Sequence, residues 1–159
     1  KTAGCTGTRC AYTVIPGKCR GYSPDGEEIR LRDLWIRRQT TKFNGVSYPV
    51  QRAASAVYSD EGYKQVMALA DYYLENASII RSSLTKAGYD VTGGTHSPYI
   101  WVYTGTDSWE FFDKLLSDAR LVCTPGSGFG RCGEGYVRFS AFNDRDAVRE
   151  GMKRLESIG

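Results

Sequence analysis

Thr124-Pro-Gly-Ser-Gly-Phe-Gly-Arg-Cys-Gly-Glu-Gly-Tyr-Val-Arg-Phe-Ser-Ala-Phe142 passes abruptly from a glycine-rich loop into a strand. The loop, Pro125 to Gly135, has no GxGxxG opening a helix and no GK[ST]. It therefore fits neither a dinucleotide nor a phosphate loop, and its glycines let backbone pass close to a ligand or to another chain segment. From Tyr136 onward the residues alternate. Val137, Phe139 and Ala141 fall on one face of a strand, and Tyr136, Arg138 and Ser140 on the other. A partly buried guanidinium among aromatics needs a partner. Two candidates stand open: a protein carboxylate such as Glu134, or a substrate carboxylate gripped through two parallel hydrogen bonds.

Downstream, a helix begins at Asn143, with Asp146 at the reciprocal capping position and Val148, Met152, Leu155 and Ile158 along one face. Upstream, Leu121 to Cys123 reads as a brief strand. Asp107-Ser-Trp-Glu110 reads as a capping box opening a helix to about Ala119, with Trp109, Phe112, Leu115 and Leu116 toward the core. Tyr99 to Tyr103 is a strand whose Tyr99 and Trp101 are core or sheet-face aromatics, and His96 is a loop residue. Before these, Val66, Leu69, Ala70, Tyr73, Leu74, Ala77, Ile80 and Leu84 recur at spacings of three and four. They mark a long amphipathic helix, capped by Ser59 and closed at Gly88. Tyr48 to Tyr58 forms another helix, with Pro49 tolerated in its first turn. The resulting order of helices and strands describes a small sheet packed by helices on one side.

The first forty-five residues are less regular. Ala11 to Ile15 reads as a strand ended by Pro16-Gly17, with Arg9 at its head. Lys18 to Arg38 is a polar excursion containing the turn Tyr22-Ser-Pro-Asp-Gly26 and a short helix from Leu31 to Arg38. Asn44, before Gly45, is a turn residue by composition. Lys1-Thr-Ala-Gly-Cys-Thr-Gly-Thr-Arg9 sets a lysine and an arginine around glycines and hydroxyls, which suits a phosphate-bearing ligand. Lys1 is either a Schiff-base lysine or a solvated one, and Arg9 either a phosphate ligand or a surface ion-pair partner.

A length of 159 residues with 41% apolar and 25% charged side chains is enough for one ordinary globular domain. A net charge of +3, with acids and bases interspersed, shows neither a nucleic-acid footprint nor a membrane patch. Five cysteines without a CxxC spacing, and a single histidine, argue against a metal site and against a disulfide framework. Free thiols fit the cytoplasm. No apolar run reaches the roughly 20 residues of a membrane span. The chain opens on Lys1 without a methionine and reads as a fragment.

Lys1 to Arg9, Phe43-Asn-Gly45, Ser97-Pro-Tyr-Ile-Trp101, Thr124 to Gly130 and Gly133 to Phe142 together resemble the LL-diaminopimelate aminotransferase family, a branch of the fold-type I pyridoxal-phosphate aminotransferases. The resemblance covers nearly the whole chain. It implies an α/β fold: the C-terminal part of a fold-type I transferase, with 1–45 ending the large cofactor-binding domain, 46–88 connecting helices and 89–159 a small α+β domain whose short sheet is covered by helices. By the same resemblance Lys1 matches the lysine that holds pyridoxal 5'-phosphate covalently. Arg9 matches the arginine that binds its phosphate, Asn44 a residue near cofactor and substrate that acts across a homodimer interface, and Arg138 the arginine that grips the substrate α-carboxylate. The implied reaction moves an amino group between LL-2,6-diaminopimelate and 2-oxoglutarate, in lysine biosynthesis. Its partners are small amino acids and 2-oxo acids, with no nucleic acid and no membrane. The alternatives are an aminotransferase of other specificity and a non-catalytic binding module. Cys5 stands where the family usually has phenylalanine, which removes no catalytic group. The acidic partner of the cofactor's pyridine nitrogen precedes the lysine in the family, so the 159 residues alone are expected to bind the cofactor weakly and to transaminate poorly.

Overall fold

The computed structural model describes residues 2–4 and 6–158. The chain divides into two compact units, residues 1–66 and 67–159.

In the first unit a turn of 3₁₀ helix spans Thr6–Thr8, and residues 9–16 carry no regular structure. The strand expected over Ala11–Ile15 is therefore not formed. Tyr12 and Val14 are 79% and 75% exposed, and β-favouring residues make a strand only where a second strand pairs with them. Pairing occurs further on, where Arg20–Tyr22 (β1) lies antiparallel to Glu28–Arg30 (β2). The expected turn closes this hairpin: Ser23 N donates to Glu27 O at 2.9 Å, and Gly26 adopts the left-handed φ of +84° that its place in the turn requires. Helix α1, Leu31–Lys42, starts directly from β2 and runs beyond the expected Arg38. It ends where the amides of Phe43 and Asn44 both donate to Gln39 O. Helix α2 follows at Tyr48–Ala56, with Pro49 in its first turn. Ser59 Oγ accepts from Gly62 N at 3.1 Å and opens the long helix α3, Asp60–Lys86.

The second unit holds the larger part of α3. Four strands, Asp90–Gly93 (β3), Tyr99–Tyr103 (β4), Thr124–Pro125 (β5) and Tyr136–Ser140 (β6), form an antiparallel sheet in the order β3-β4-β6-β5. Helices α4 (Ser108–Lys114) and α5 (Arg145–Glu156) complete the unit. Ala77, Ile80 and Leu84 of α3, Ile100 and Val102 of β4, Val137 and Phe139 of β6, and Val148, Met152 and Leu155 of α5 share one buried core. The inward face expected of β6 and the face of the last helix are thus the observed ones, and the sheet is helix-covered as expected. Burial also pushes the Cys123 thiol up to about 11, so it sits in the core as a protonated, apolar group.

Several local expectations change. Strand β3 escaped sequence reading because its four residues offer only Val91 toward the core. Leu121–Cys123 is not a strand; the pairing with β6 begins at Thr124. Of the four side chains expected to face the core, Leu115 is buried just after α4 and Phe112 packs against the core, while Trp109 and Leu116 are 57% and 43% exposed and Phe111 is buried in their place. Asp107 caps this helix by accepting from Trp109 N and Glu110 N, and after Lys114 the chain winds into a π-helical turn, Leu115–Ala119, which resets the helical phase. Helix α5 is capped by Asp144, which accepts from Asp146 N at 2.9 Å, and not by Asn143.

Asn76 ties α3 to the entry of α5. It is fully buried, its amide donates to the carbonyls of Ala141 (3.2 Å) and Asn143 (2.9 Å), and its oxygen accepts from Arg145 Nε. Arg145 also pairs with Glu75 and lies over the Tyr72 ring. Asn76→Leu removes a donor from two carbonyls and an acceptor from a guanidinium, at a cost of about 2–4 kcal/mol. A urea midpoint reports it. A shift below about 1 kcal/mol would mean that other groups satisfy these atoms. No helix among the described residues is long and apolar enough to cross a membrane.

Candidate active site

Strand β6 lies between β4 and β5, with Arg138 directly opposite Trp101 on one side and Thr124 on the other. The face that the core does not use carries Tyr99, Trp101 and Tyr103 of β4 beside Tyr136 and Arg138 of β6. Trp101 and Tyr136 meet edge to face with centroids 6.3 Å apart, and Tyr103 and Tyr136 meet at a tilt with centroids 5.2 Å apart. The Arg138 guanidinium carbon sits 4.4 Å from the Tyr99 centroid and 4.5 Å from that of Phe129. Each such contact is worth about 0.5–2 kcal/mol, depending on how dry it is. Among the described residues Arg138 forms no ion pair, and its buried Nε has no hydrogen-bond partner.

Pairing with Glu134, one of the two readings open from sequence, is not formed. Glu134 Oε1 accepts from Ser108 N at 2.8 Å and from Gly135 N at 3.1 Å. Those bonds, the Ser108 amide first, hold its carboxyl below the ordinary value of 4.5. Glutamine at this position keeps an oxygen acceptor and loses the charge. Because the folded-state value is depressed, the carboxylate stabilises the fold above the ordinary value, and that contribution is lost as pH falls through the folded-state value. Wild type and Glu134→Gln should therefore differ in thermal midpoint at neutral pH and converge on acidification. A gap that stayed constant into acid would count against this role.

Phe129 was not singled out from sequence. It rides on the turn Gly126–Phe129, and Trp101 holds it at a centroid distance of 5.2 Å. This turn is anchored by two glycines packed back to back: a Cβ built on Gly126 would lie 2.0 Å from Gly133 O, and one built on Gly133 would lie 2.0 Å from Gly126 O. The glycines of the loop thus serve a close approach between two chain segments, one of the two uses open from sequence. A phenylalanine isolated among glycines was the available signal.

The remaining candidates belong to the first unit. Arg9 is exposed and left-handed (φ +55°), and its Nη1 donates to Thr6 O at 3.3 Å. It heads no strand. Among the described residues it has no carboxylate partner, and a Cβ on Gly7 would meet nothing within 4 Å. Guanidinium donors beside open backbone fit a phosphate monoester such as that of pyridoxal phosphate. Asn44 is exposed and left-handed (φ +67°), and its backbone ends α1. Among the described residues no hydrogen bond joins Arg9 to Asn44. Lys1 and Cys5 lie outside the described residues.

Residues 1–155 match the family model for aminotransferase class I and II. An LL-diaminopimelate aminotransferase of Desulforapulum autotrophicum is 62% identical across 100% of this chain, which covers 39% of that protein. One from Prochlorococcus marinus is 59% identical across 99% of the chain, again 39% of the relative. The chain thus spans about two fifths of the length of these curated relatives. Among solved structures, L,L-diaminopimelate aminotransferase from Chlamydomonas reinhardtii superposes with a TM-score of 0.83 at 39% identity, over 91% of this chain and 35% of that one. The aromatic aminotransferase of Pyrococcus horikoshii gives 0.72 at 26% identity, over 84% of this chain and 36% of that one. Class I and II aminotransferases are pyridoxal-phosphate enzymes, and with 155 of its residues matched to their model, this chain belongs to that family.

Proposed function

We propose that the protein carrying this chain moves an amino group between LL-2,6-diaminopimelate and 2-oxoglutarate, with pyridoxal phosphate as cofactor. The observation that carries this reading is the state of Arg138: a guanidinium on an aromatic sheet face, flanked by two rings, with no carboxylate paired to it among the described residues. Such a group suits the α-carboxylate shared by an amino acid and its 2-oxo acid. High identity to diaminopimelate enzymes along the whole chain supports the choice of substrate.

Pyridoxal phosphate, when bound, supplies an aldehyde that accepts the amino group and a ring that draws electrons from Cα. Arg9 holds the phosphate through its guanidinium donors. Arg138 orients the substrate so that the Cα–H bond is presented to the base, and orientation of this kind is a large share of such a rate enhancement. Lys1 moves the proton at Cα. Asn44 approaches cofactor and substrate from a second copy in a homodimer. Residues 1–45 close the large domain, 46–88 connect, and 89–159 form the small domain. The thiols of Cys10, Cys19, Cys123 and Cys132 are free, which supports a reducing, cytoplasmic setting.

A donor panel on the whole protein tests the reading, with 2-oxoglutarate as acceptor and LL-diaminopimelate, aspartate and aromatic amino acids as donors. Diaminopimelate should turn over fastest. The likeness to an aromatic aminotransferase makes aromatic donors the second reading. Turnover of none of them would indicate a binding module.

A further inference from the structure

We propose that Phe129 and Tyr99 are positioning residues for Arg138, forming an aromatic clamp that balances its charge in place of an acidic side chain and aims its terminal nitrogens at the bound carboxylate. The inference rests on the carboxylate reading of Arg138 given above. Three observations carry it. Both rings lie within 4.5 Å of the guanidinium carbon. The nearby carboxylate of Glu134 is engaged by the amides of Ser108 and Gly135. Each ring is itself held: Tyr99 lies on β4 and touches Phe142 with centroids 5.5 Å apart, and Phe129 is braced by Trp101.

The chemistry of the two kinds of counter-charge differs. A carboxylate on Arg138 would neutralise it by taking up the hydrogen-bond donors that a substrate needs, and the substrate would have to displace it. Aromatic faces attract the cation through their quadrupoles and accept no strong hydrogen bond, so the fork stays open. They also restrict the side chain, so that less rotamer freedom is lost when a carboxylate binds. Phe129 contributes to this clamp from an exposed position on a turn, which makes it replaceable without disturbing the buried core.

The variants are Phe129→Leu, which keeps apolar bulk without a quadrupole, and Phe129→Tyr, which restores the ring. They are made in the whole holoenzyme and compared by steady-state kinetics. Leucine should raise KM about tenfold for the amino donor and for the 2-oxo acid alike, since both present the same carboxylate. It should leave kcat within about twofold and cofactor absorbance unchanged, and tyrosine should restore both KM values. Unchanged KM values, a fall in kcat or cofactor content that matches the rise in KM, or a tyrosine variant as impaired as leucine would overturn the clamp. Calorimetric titration with glutarate provides a reading that does not depend on turnover. Wild type should bind it, Arg138→Ala should not, and Phe129→Leu should bind it about tenfold more weakly. Equal binding by leucine and wild type would overturn the clamp. A wild type that binds glutarate yet transaminates nothing would sink the proposed reaction and leave the clamp to be judged by the titration alone.

Discussion

Gly126→Ala and Gly133→Ala should each unfold the C-terminal unit well below wild type, with a loss of about 3 kcal/mol or more. Alanine is normally the mildest substitution for a glycine, and neither position has a left-handed φ that would strain it. What forbids it is contact with backbone. A Cβ at Gly126 would lie 2.0 Å from Gly133 O and 2.6 Å from Tyr136 O, and a Cβ at Gly133 would lie 2.0 Å from Gly126 O. A side chain can rotate out of such a contact, but a peptide group in a paired segment cannot, so the two strands of the loop must separate. Separation moves the turn that carries Phe129 and works against the Thr124–Pro125 pairing with β6. Gly128→Ala is the control: no heavy atom lies within 4 Å of its Cβ, and its effect should stay within about 0.5 kcal/mol. Thermal unfolding of the three variants decides the matter. If all three shift alike, the effect belongs to loop entropy and the back-to-back contact is unimportant.

Arg138→Ala should lower kcat/KM of the whole enzyme by two to three orders of magnitude, about 3–4 kcal/mol, for amino acid and 2-oxo acid substrates together. The magnitude follows from losing two charge-assisted hydrogen bonds to one carboxylate, each worth about 1.5–3 kcal/mol. Folding should lose only the two ring contacts of the guanidinium. Arg138 makes no ion pair among the described residues, so its removal strands no buried carboxylate. Cofactor absorbance should remain, because the phosphate is proposed to be held by Arg9 and not by Arg138. Arg138→Lys should fall between wild type and alanine, keeping the charge without the planar fork. Loss of cofactor in the alanine variant would show that this arginine serves a different group.

How much of this was legible in the residues depended on whether the deciding interactions were local. The alternation along Tyr136–Ala141 gave the inner face of β6, and the three-four spacing around Ala77, Ile80 and Leu84 gave the buried face of α3, because both periods are properties of one segment. The stops at Gly26 and Gly88 were legible for a similar reason, both residues being left-handed as their turns require. Ala11–Ile15 misled because a strand depends on its partner, and the pairing in this unit goes to Arg20–Tyr22 and Glu28–Arg30 instead. The phase of α4 misled because an N-cap and a π-helical turn set it, and a period of 3.6 contains neither.

The candidate site divides along the same line. Sequence by itself determined the chemistry on offer: a guanidinium on an aromatic strand face at Arg138, a second beside glycines at Arg9, and a glycine-rich loop leading into the strand. It left two partners open for Arg138 and two uses open for the loop. Only the tertiary structure set aside the Glu134 pairing and showed the close approach inside the loop, since the engagement of Glu134 by Ser108 and Gly135 amides, the seating of Phe129 over Arg138 by Trp101, and the contact of Gly126 with Gly133 all join residues that local periodicity does not relate. A side chain's type fixes which interactions it can make; which of them it does make depends on what the folded chain brings within about 3–5 Å of it.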